Sequence, residues 1–136
     1  MKALIICVAA MAVAGLCLSA QNLDYVPDSS WLAPQSAVAR QNPLSDRREL
    51  AAGGRKLFAR NCAECHGSDG SGNEQKHSAD LQLPMVQEQS DGALFWKISN
   101  GNTARGMPSW SKLPELQRWQ LVLYIRTLKP AAATAH

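Results

Sequence analysis

The sequence predicts an all-α domain of three to four helices. Two stretches carry apolar residues at helical spacing: Leu50, Gly54, Leu57 and Phe58, and then Leu121, Tyr124, Ile125 and Leu128. No segment shows the apolar–polar alternation of a half-buried strand, and the intervening stretches are punctuated by glycine and proline.

The stretch from Met1 to Ala20 stands apart from that domain. Lys2 supplies a positive start, Leu4 to Leu18 form an unbroken run without charge, and Ser19-Ala20 offer small residues for cleavage. This is the pattern of a signal peptide, residues 1–20, cut after Ala20, although Leu18 stands where a small residue is usual. A retained membrane anchor is the competing reading, but such a run spans roughly 22 Å against a hydrocarbon core of about 30 Å. Lipidation at Cys17 is a lesser alternative, since Leu16 precedes it. The expected location is the periplasm, with no membrane span after cleavage.

Residues 21–42 hold Pro27 and Pro34 among scattered apolar side chains without a period, and read as an extended arm or linker. Tyr25, Trp31 and Leu32 have the size to pack over the domain, and disorder is the other reading. The domain itself is expected over residues 43–130. Asp46 with Glu49 forms a capping-box pattern that opens a helix running to about Cys62. Gly53-Gly54 costs that helix about 1 kcal/mol per glycine, which argues for a packing reason such as the close approach of another helix. Gly67 to Asn73 is a polar, glycine-rich loop. Asp91 to Ser99 form a short helix with Leu94, Phe95 and Ile98 inward, stopped at Asn100-Gly101. Ala104 to Ser111 is irregular around Pro108. The last helix starts near Pro114-Glu115, where proline suits a first turn, and ends near Leu128 before Pro130. Residues 131–136 form a flexible tail.

The chain carries 14 basic and 11 acidic side chains, a formal charge of +3 that loss of Lys2 with the leader lowers by one. Such a balance gives no support to nucleic-acid or strongly anionic membrane binding. Of the four cysteines, Cys7 and Cys17 lie in the leader, leaving Cys62 and Cys65 in a domain expected to meet an oxidising compartment. A disulfide between them is the simplest expectation there, yet it does not explain why His66 follows at once.

Cys62-Ala63-Glu64-Cys65-His66 is the attachment pattern of c-type haem, in which two cysteine sulfurs become thioethers and the adjacent histidine reaches the iron. Helical geometry supports it, because residues three apart rise on nearly one face. A thioredoxin-like redox pair would want a preceding strand and a βαβ context. A structural zinc site would need two further ligands, and only His77 and His136 remain as additional histidines. A buried cofactor would also offset the small apolar core of so short a domain.

A second axial ligand is needed for low-spin electron transfer, and a methionine thioether suits iron that cycles between ferrous and ferric states. Met107 stands far beyond His66 along the chain, in Arg105-Gly106-Met107-Pro108, where glycine and proline can stiffen a loop. Met85, which follows His66 much more closely, and His77, beside Lys76 in a polar loop, are weaker candidates, and any methionine can be a plain core filler. His66 must keep Nε2 free for iron, so its Nδ1–H is expected to donate to a backbone carbonyl that the sequence does not identify.

Over residues 47–129 the chain resembles the class I cytochrome c family, in particular small bacterial single-haem domains found as free carriers or as modules of dehydrogenases and terminal oxidases. Gly54 and Phe58 stand eight and four residues before Cys62 and match the family's N-terminal helix, and Tyr124 matches the aromatic of the C-terminal helix that crosses it. Cys62, Cys65 and His66 match the attachment residues and proximal ligand, and Gly106-Met107-Pro108 matches the distal loop. The resemblance implies a compact cytochrome c fold around one covalently attached haem c, with Leu81, Trp96 and Trp110 in its pocket beside Leu83 and Ile98. It also implies a propionate partner in the Trp96 indole, against ordinary packing, and a basic rim of Lys97, Arg105 and Lys112, against a plain solvated face. Related domains often carry a proline before Asp-Leu where this chain has Ala79 before Asp80-Leu81, which leaves the carbonyl that serves His66 open.

The expected function is that of a periplasmic one-electron carrier exchanging Fe(II) and Fe(III) with redox protein partners, not an enzyme. The alternatives are an electron-transfer subunit docked on a dehydrogenase or terminal oxidase complex, or a haem enzyme or gas-binding protein if Met107 does not hold the iron.

Overall fold

The crossing of two long helices organises the molecule, and a single glycine permits it. The computed structural model describes residues 25–131, so the expected leader and all but the first residue of the expected tail lie outside the described residues. In chain order the helices are α1 (Gln35–Val38), α2 (Ala51–Asn61), α3 (Ala63–His66), α4 (Pro84–Gln87), α5 (Asp91–Asn100) and α6 (Glu115–Thr127), with 3-10 turns at Arg48–Leu50 and Thr103–Arg105. Isolated bridges, Asn73 with Ser78 and Asn102 with Met107, are the β pairing among the described residues. The protein is all-α, as the sequence predicts.

At Gly54 in α2 a Cβ would lie 1.9 Å from the Gln120 carbonyl oxygen of α6, so only glycine lets the two backbones approach this closely. Phe58 and Tyr124 meet beside that contact with ring centroids 5.1 Å apart. Around the crossing, Leu57, Phe58, Leu121, Val122 and Ile125 are buried with Leu94, Phe95 and Ile98 of α5. Trp119 is 1% exposed and stacks on Phe95 at 4.0 Å. It anchors the α5–α6 contact at a position that the predicted stripe, beginning at Leu121, did not include.

The helix boundaries follow local chemistry. Ser90 caps α5, its hydroxyl accepting from the Ala93 N–H at 3.1 Å, and Gly101 stops it in the left-handed region at φ 64°. Pro114 precedes the first turn of α6. The Asp46–Glu49 capping box does not form. Glu49 instead takes a hydrogen bond from Arg47 Nε at 2.5 Å, and the 3-10 turn leads directly into α2. At the far end of α6, Arg126 ties the helix to the α4–α5 turn by donating to Asp91 Oδ1 (2.8 Å) and to the Gln87 carbonyl (2.7 Å).

Residues 25–42 pack along the domain. Ala37 of α1 lies so close to Gly92 of α5 that a Cβ there would sit 1.9 Å from its carbonyl oxygen. Ser90 Oγ donates to the Val38 carbonyl at 2.8 Å, and buried Asn42 donates through Nδ2 to the Trp119 carbonyl at 3.2 Å. Arg40 pairs with Glu115 at 2.6 Å while its guanidinium lies 4.6 Å from the centre of the Phe95 ring. Of the residues expected to pack over the domain, Tyr25 and Trp31 do so among the described part of the arm, whereas Leu32 is 70% exposed.

Candidate functional site

The Cys62–His66 segment sits where the polypeptide leaves one helix and enters the next. Cys62 departs from helical geometry at φ −122°, and its carbonyl accepts from the N–H groups of both Cys65 (3.1 Å) and His66 (2.9 Å). This turn gathers the two thiols and the imidazole. Gly67 at φ 81° then reverses the chain. The following loop folds back through Gly72 N–H to the His66 carbonyl (2.8 Å) and Leu81 N–H to the Gly70 carbonyl (2.7 Å), and Ser78 Oγ donates to the Cys65 carbonyl. The fold-back requires Gly72, at φ 85°, because a Cβ there would lie 2.7 Å from the Ser78 carbonyl oxygen.

The loop thereby brings the Ala79 carbonyl to His66 Nδ1 at 3.0 Å. A carbonyl only accepts, so Nδ1 carries the proton and Nε2 presents a lone pair. Burial lowers the basicity of His66, outweighing the opposing effect of the Ala79 bond, and keeps the ring neutral. Burial, with Cys65 adding to it, pushes the Cys62 thiol up to about 12. A thiol so held is a poor redox nucleophile, which argues against a thioredoxin-type pair. Cys62 and Cys65 are not joined in a disulfide, and no cluster of three or more potential metal-ligating His, Cys, Asp or Glu residues occurs among the described residues.

Met107 lies in a closed loop fastened to the end of α5. Asn102 pairs with it in both directions, Asn102 N–H to the Met107 carbonyl at 2.9 Å and Met107 N–H to the Asn102 carbonyl at 3.0 Å. Gly106 provides the left-handed turn between them at φ 87°. Beyond it, Ser109 Oγ donates to the Ser99 carbonyl (2.6 Å) and Trp110 N–H to the Ile98 carbonyl (3.1 Å). Gly101 is hemmed in on the same side, a Cβ there falling 2.5 Å from the Pro108 carbonyl group. Met107 is half-buried. Met85 is 42% exposed on α4, and His77 is exposed at φ 49°, so neither shares this setting.

Leu81 is buried in the core cluster, and Trp110 and Cys62 pack against that cluster. Trp96 is half-buried on α5. Of the expected basic rim, Lys97 and Arg105 engage the arm, with Lys97 Nζ 4.6 Å from the centre of the Trp31 ring, and Lys112 is exposed. Sequence reasoning left the Ala79 carbonyl unassigned and did not single out Ser78 or Asn102. A backbone acceptor has no side-chain signature, and the cross-loop pairing of Asn102 depends on the turn between it and Met107. Asp80, beside Ala79, is fully buried. Its Oδ1 accepts from the Gln82 N–H at 2.8 Å, its Oδ2 has no hydrogen-bond partner among the described residues, and burial raises its pKa above the usual 3.8.

A free imidazole Nε2, two thiols in one turn and a thioether in a closed loop form a donor set that fits haem c. Comparison with known proteins agrees with this chemistry. The family described as cytochrome C oxidase, cbb3-type, subunit III matches residues 49–125, which include Cys62, Cys65, His66 and Met107. A protein of Azorhizobium caulinodans described as cbb3-type cytochrome c oxidase subunit FixP is 30% identical over 77% of this chain and 32% of its own length. Proteins of the same description from Bradyrhizobium diazoefficiens and a Bradyrhizobium species are 41% and 35% identical, over 44% and 57% of this chain and 21% and 27% of theirs. The chain thus spans about a third or less of the curated relatives it matches, and no solved structure matches it. On the match from 49 to 125 the chain belongs to the cbb3-type cytochrome c oxidase subunit III family, as a small c-type cytochrome domain of electron transport.

Proposed function

We propose that the chain is the electron-transfer subunit of a cbb3-type terminal oxidase, carrying one electron at a time on a single haem c. The observation that carries this reading is the family match over 49–125, spanning the attachment turn and the Met107 loop. The descriptions of the relatives favour the docked subunit over the free carrier that the sequence placed first. Bound haem supplies reversible Fe(II)/Fe(III) exchange.

The residues of the chain set the terms of that exchange. Cys62 and Cys65 would hold the cofactor through thioethers, and His66 would ligate through Nε2, its ring plane fixed by the Ala79 carbonyl. Met107 would be the second protein ligand, and its soft thioether would favour the ferrous state relative to a second histidine. Leu81, Trp96 and Trp110 would line the haem pocket, with the Trp96 indole N–H suited to a propionate. With His66 and Met107 both holding the haem, the subunit would do no substrate chemistry, and oxygen reduction would belong to the partner. The domain works on the periplasmic side after loss of residues 1–20. Among the described residues no helix is long and apolar enough to cross a membrane.

The exported ferric protein is expected to show the near-infrared sulfur-to-iron charge-transfer band, and Met107→Ala to abolish it and lower the reduction potential. A band absent from the wild type, or unchanged in the variant, would remove Met107 as ligand. Stoichiometric co-purification with an oxidase catalytic subunit is expected from native membranes; quantitative recovery as a free protein would return the carrier reading.

A further inference from the structure

The Met107 loop is gripped from outside by the N-terminal arm. Asp28 Oδ2 accepts from Asn102 Nδ2 at 2.9 Å, and Asn102 is the residue whose backbone pairs with Met107. Trp31 Nε1 donates to the Gly101 carbonyl at 3.0 Å, next to Asn102. Arg105 donates through its guanidinium to the Val26 carbonyl at 2.8 Å and lies 5.6 Å from the centre of the Tyr25 ring. Three loop residues, Gly101, Asn102 and Arg105, are therefore held by Tyr25, Val26, Asp28 and Trp31, all of which lie outside the stretch matched by the family. The carboxylate is itself fixed, its Oδ1 accepting from Ser30 N–H (3.0 Å) and Ser30 Oγ (2.6 Å).

We propose that residues 25–31 form a strap whose Asp28 and Trp31 are positioning residues for Met107, holding its loop closed so that the thioether stays on the iron. This inference rests on the assignment of Met107 as the distal ligand. The bonds from Ser30 and Asn102 hold the Asp28 carboxyl down at about 2, so the strap keeps its anionic anchor across the physiological pH range. A ligand loop that is closed only by its own Asn102–Met107 bridge would open more often. Each opening exposes the axial position to any competing nitrogen base, so the strap acts as a guard of coordination.

The test is imidazole titration of the purified ferric holoprotein, followed through the sulfur-to-iron band. Asp28→Asn and Trp31→Phe keep shape and ring while removing the anionic acceptor and the indole donor. Each is expected to retain the band at neutral pH. Combined, they are expected to bind imidazole on the order of thirtyfold more tightly, the low end of losing a charge-assisted and a neutral hydrogen bond. Arg40→Ala, which removes an arm contact remote from the loop, serves as the control and is expected to keep wild-type imidazole affinity. Imidazole affinity unchanged in the double variant, or raised equally in Arg40→Ala, would overturn the strap while leaving Met107 ligation standing. A wild-type protein without the band would instead overturn the ligand assignment and the strap with it.

Discussion

Asp80 shows how a single buried side chain makes stability depend on pH. Its carboxyl is buried, with one oxygen unpartnered among the described residues, and burial, reinforced by Asp69 and opposed by the Gln82 bond, raises its pKa. Above that raised value the folded state must hold a buried carboxylate. As pH falls through it the folded state takes up a proton before the unfolded state does, so stability rises until about the ordinary value of 3.8. Asp28, Glu49, Glu64, Asp69 and Glu115 are all lowered and act in the opposite sense, their contribution present above the ordinary values of 3.8 for Asp and 4.5 for Glu and lost as pH falls below them. Denaturant unfolding is therefore expected to show the wild type gaining on Asp80→Asn as pH drops from 7 toward 4; a constant gap would show that Asp80 does not titrate in this way. The sequence could not disclose this residue, because Asp80 in a polar loop looks like an exposed aspartate. Cys62, Cys65 and His66 stood out at once, because their order and spacing are a chemical signature in themselves. Ala79 lay between these cases: a carbonyl acceptor was predictable, but its position depended on how the loop from Gly67 returned.

Among the elements, the α2–α6 crossing is the one most sensitive to a small change. Gly54→Ala would drive a methyl into the Gln120 carbonyl, which is backbone and cannot turn aside. The expected cost is at least about 3 kcal/mol, at the upper end for overpacking, measured as a lowered denaturant midpoint with the haem retained. A loss below ~1 kcal/mol would mean that the helices separate easily. This crossing was legible in advance, since a glycine on the apolar face of a helix calls for a packing reason. The limits of α5 and α6 were legible as well, through Gly101 and Pro114. The start of α2 was not, because Arg47 competes for Glu49. Nor was α4, whose four residues are too few to show a period. Trp119 lies three residues before Val122 and extends the α6 stripe by almost one turn, so the periodic signal was present for both.

At the scale of the whole molecule, a small helical core is expected to leave a large share of stability to a bound haem. The core cluster draws on α2, α4, α5 and α6 but includes just one residue, Leu81, from the long segment between α3 and α4. Replacing Cys62 and Cys65 together by alanine, which prevents covalent retention, is expected to cost more than about 3 kcal/mol, a fall in Tm upwards of ~12 °C for a domain of this size. A pigment-free variant melting with the wild type would show that the polypeptide core suffices.

Asn42 gives the arm a further property, one of loop-closure entropy. Asp28 and Asn102 are 74 residues apart in the chain, a long loop to close from the unfolded state. Once Asn42 is bonded beneath Trp119, the segment still to be closed from Asp28 is only about 14 residues, and the entropic cost falls by roughly 1.5 kcal/mol. The strap can then release and reseal as a short local unit while the helix crossing stays intact, a low-energy opening confined to the Met107 side of the molecule.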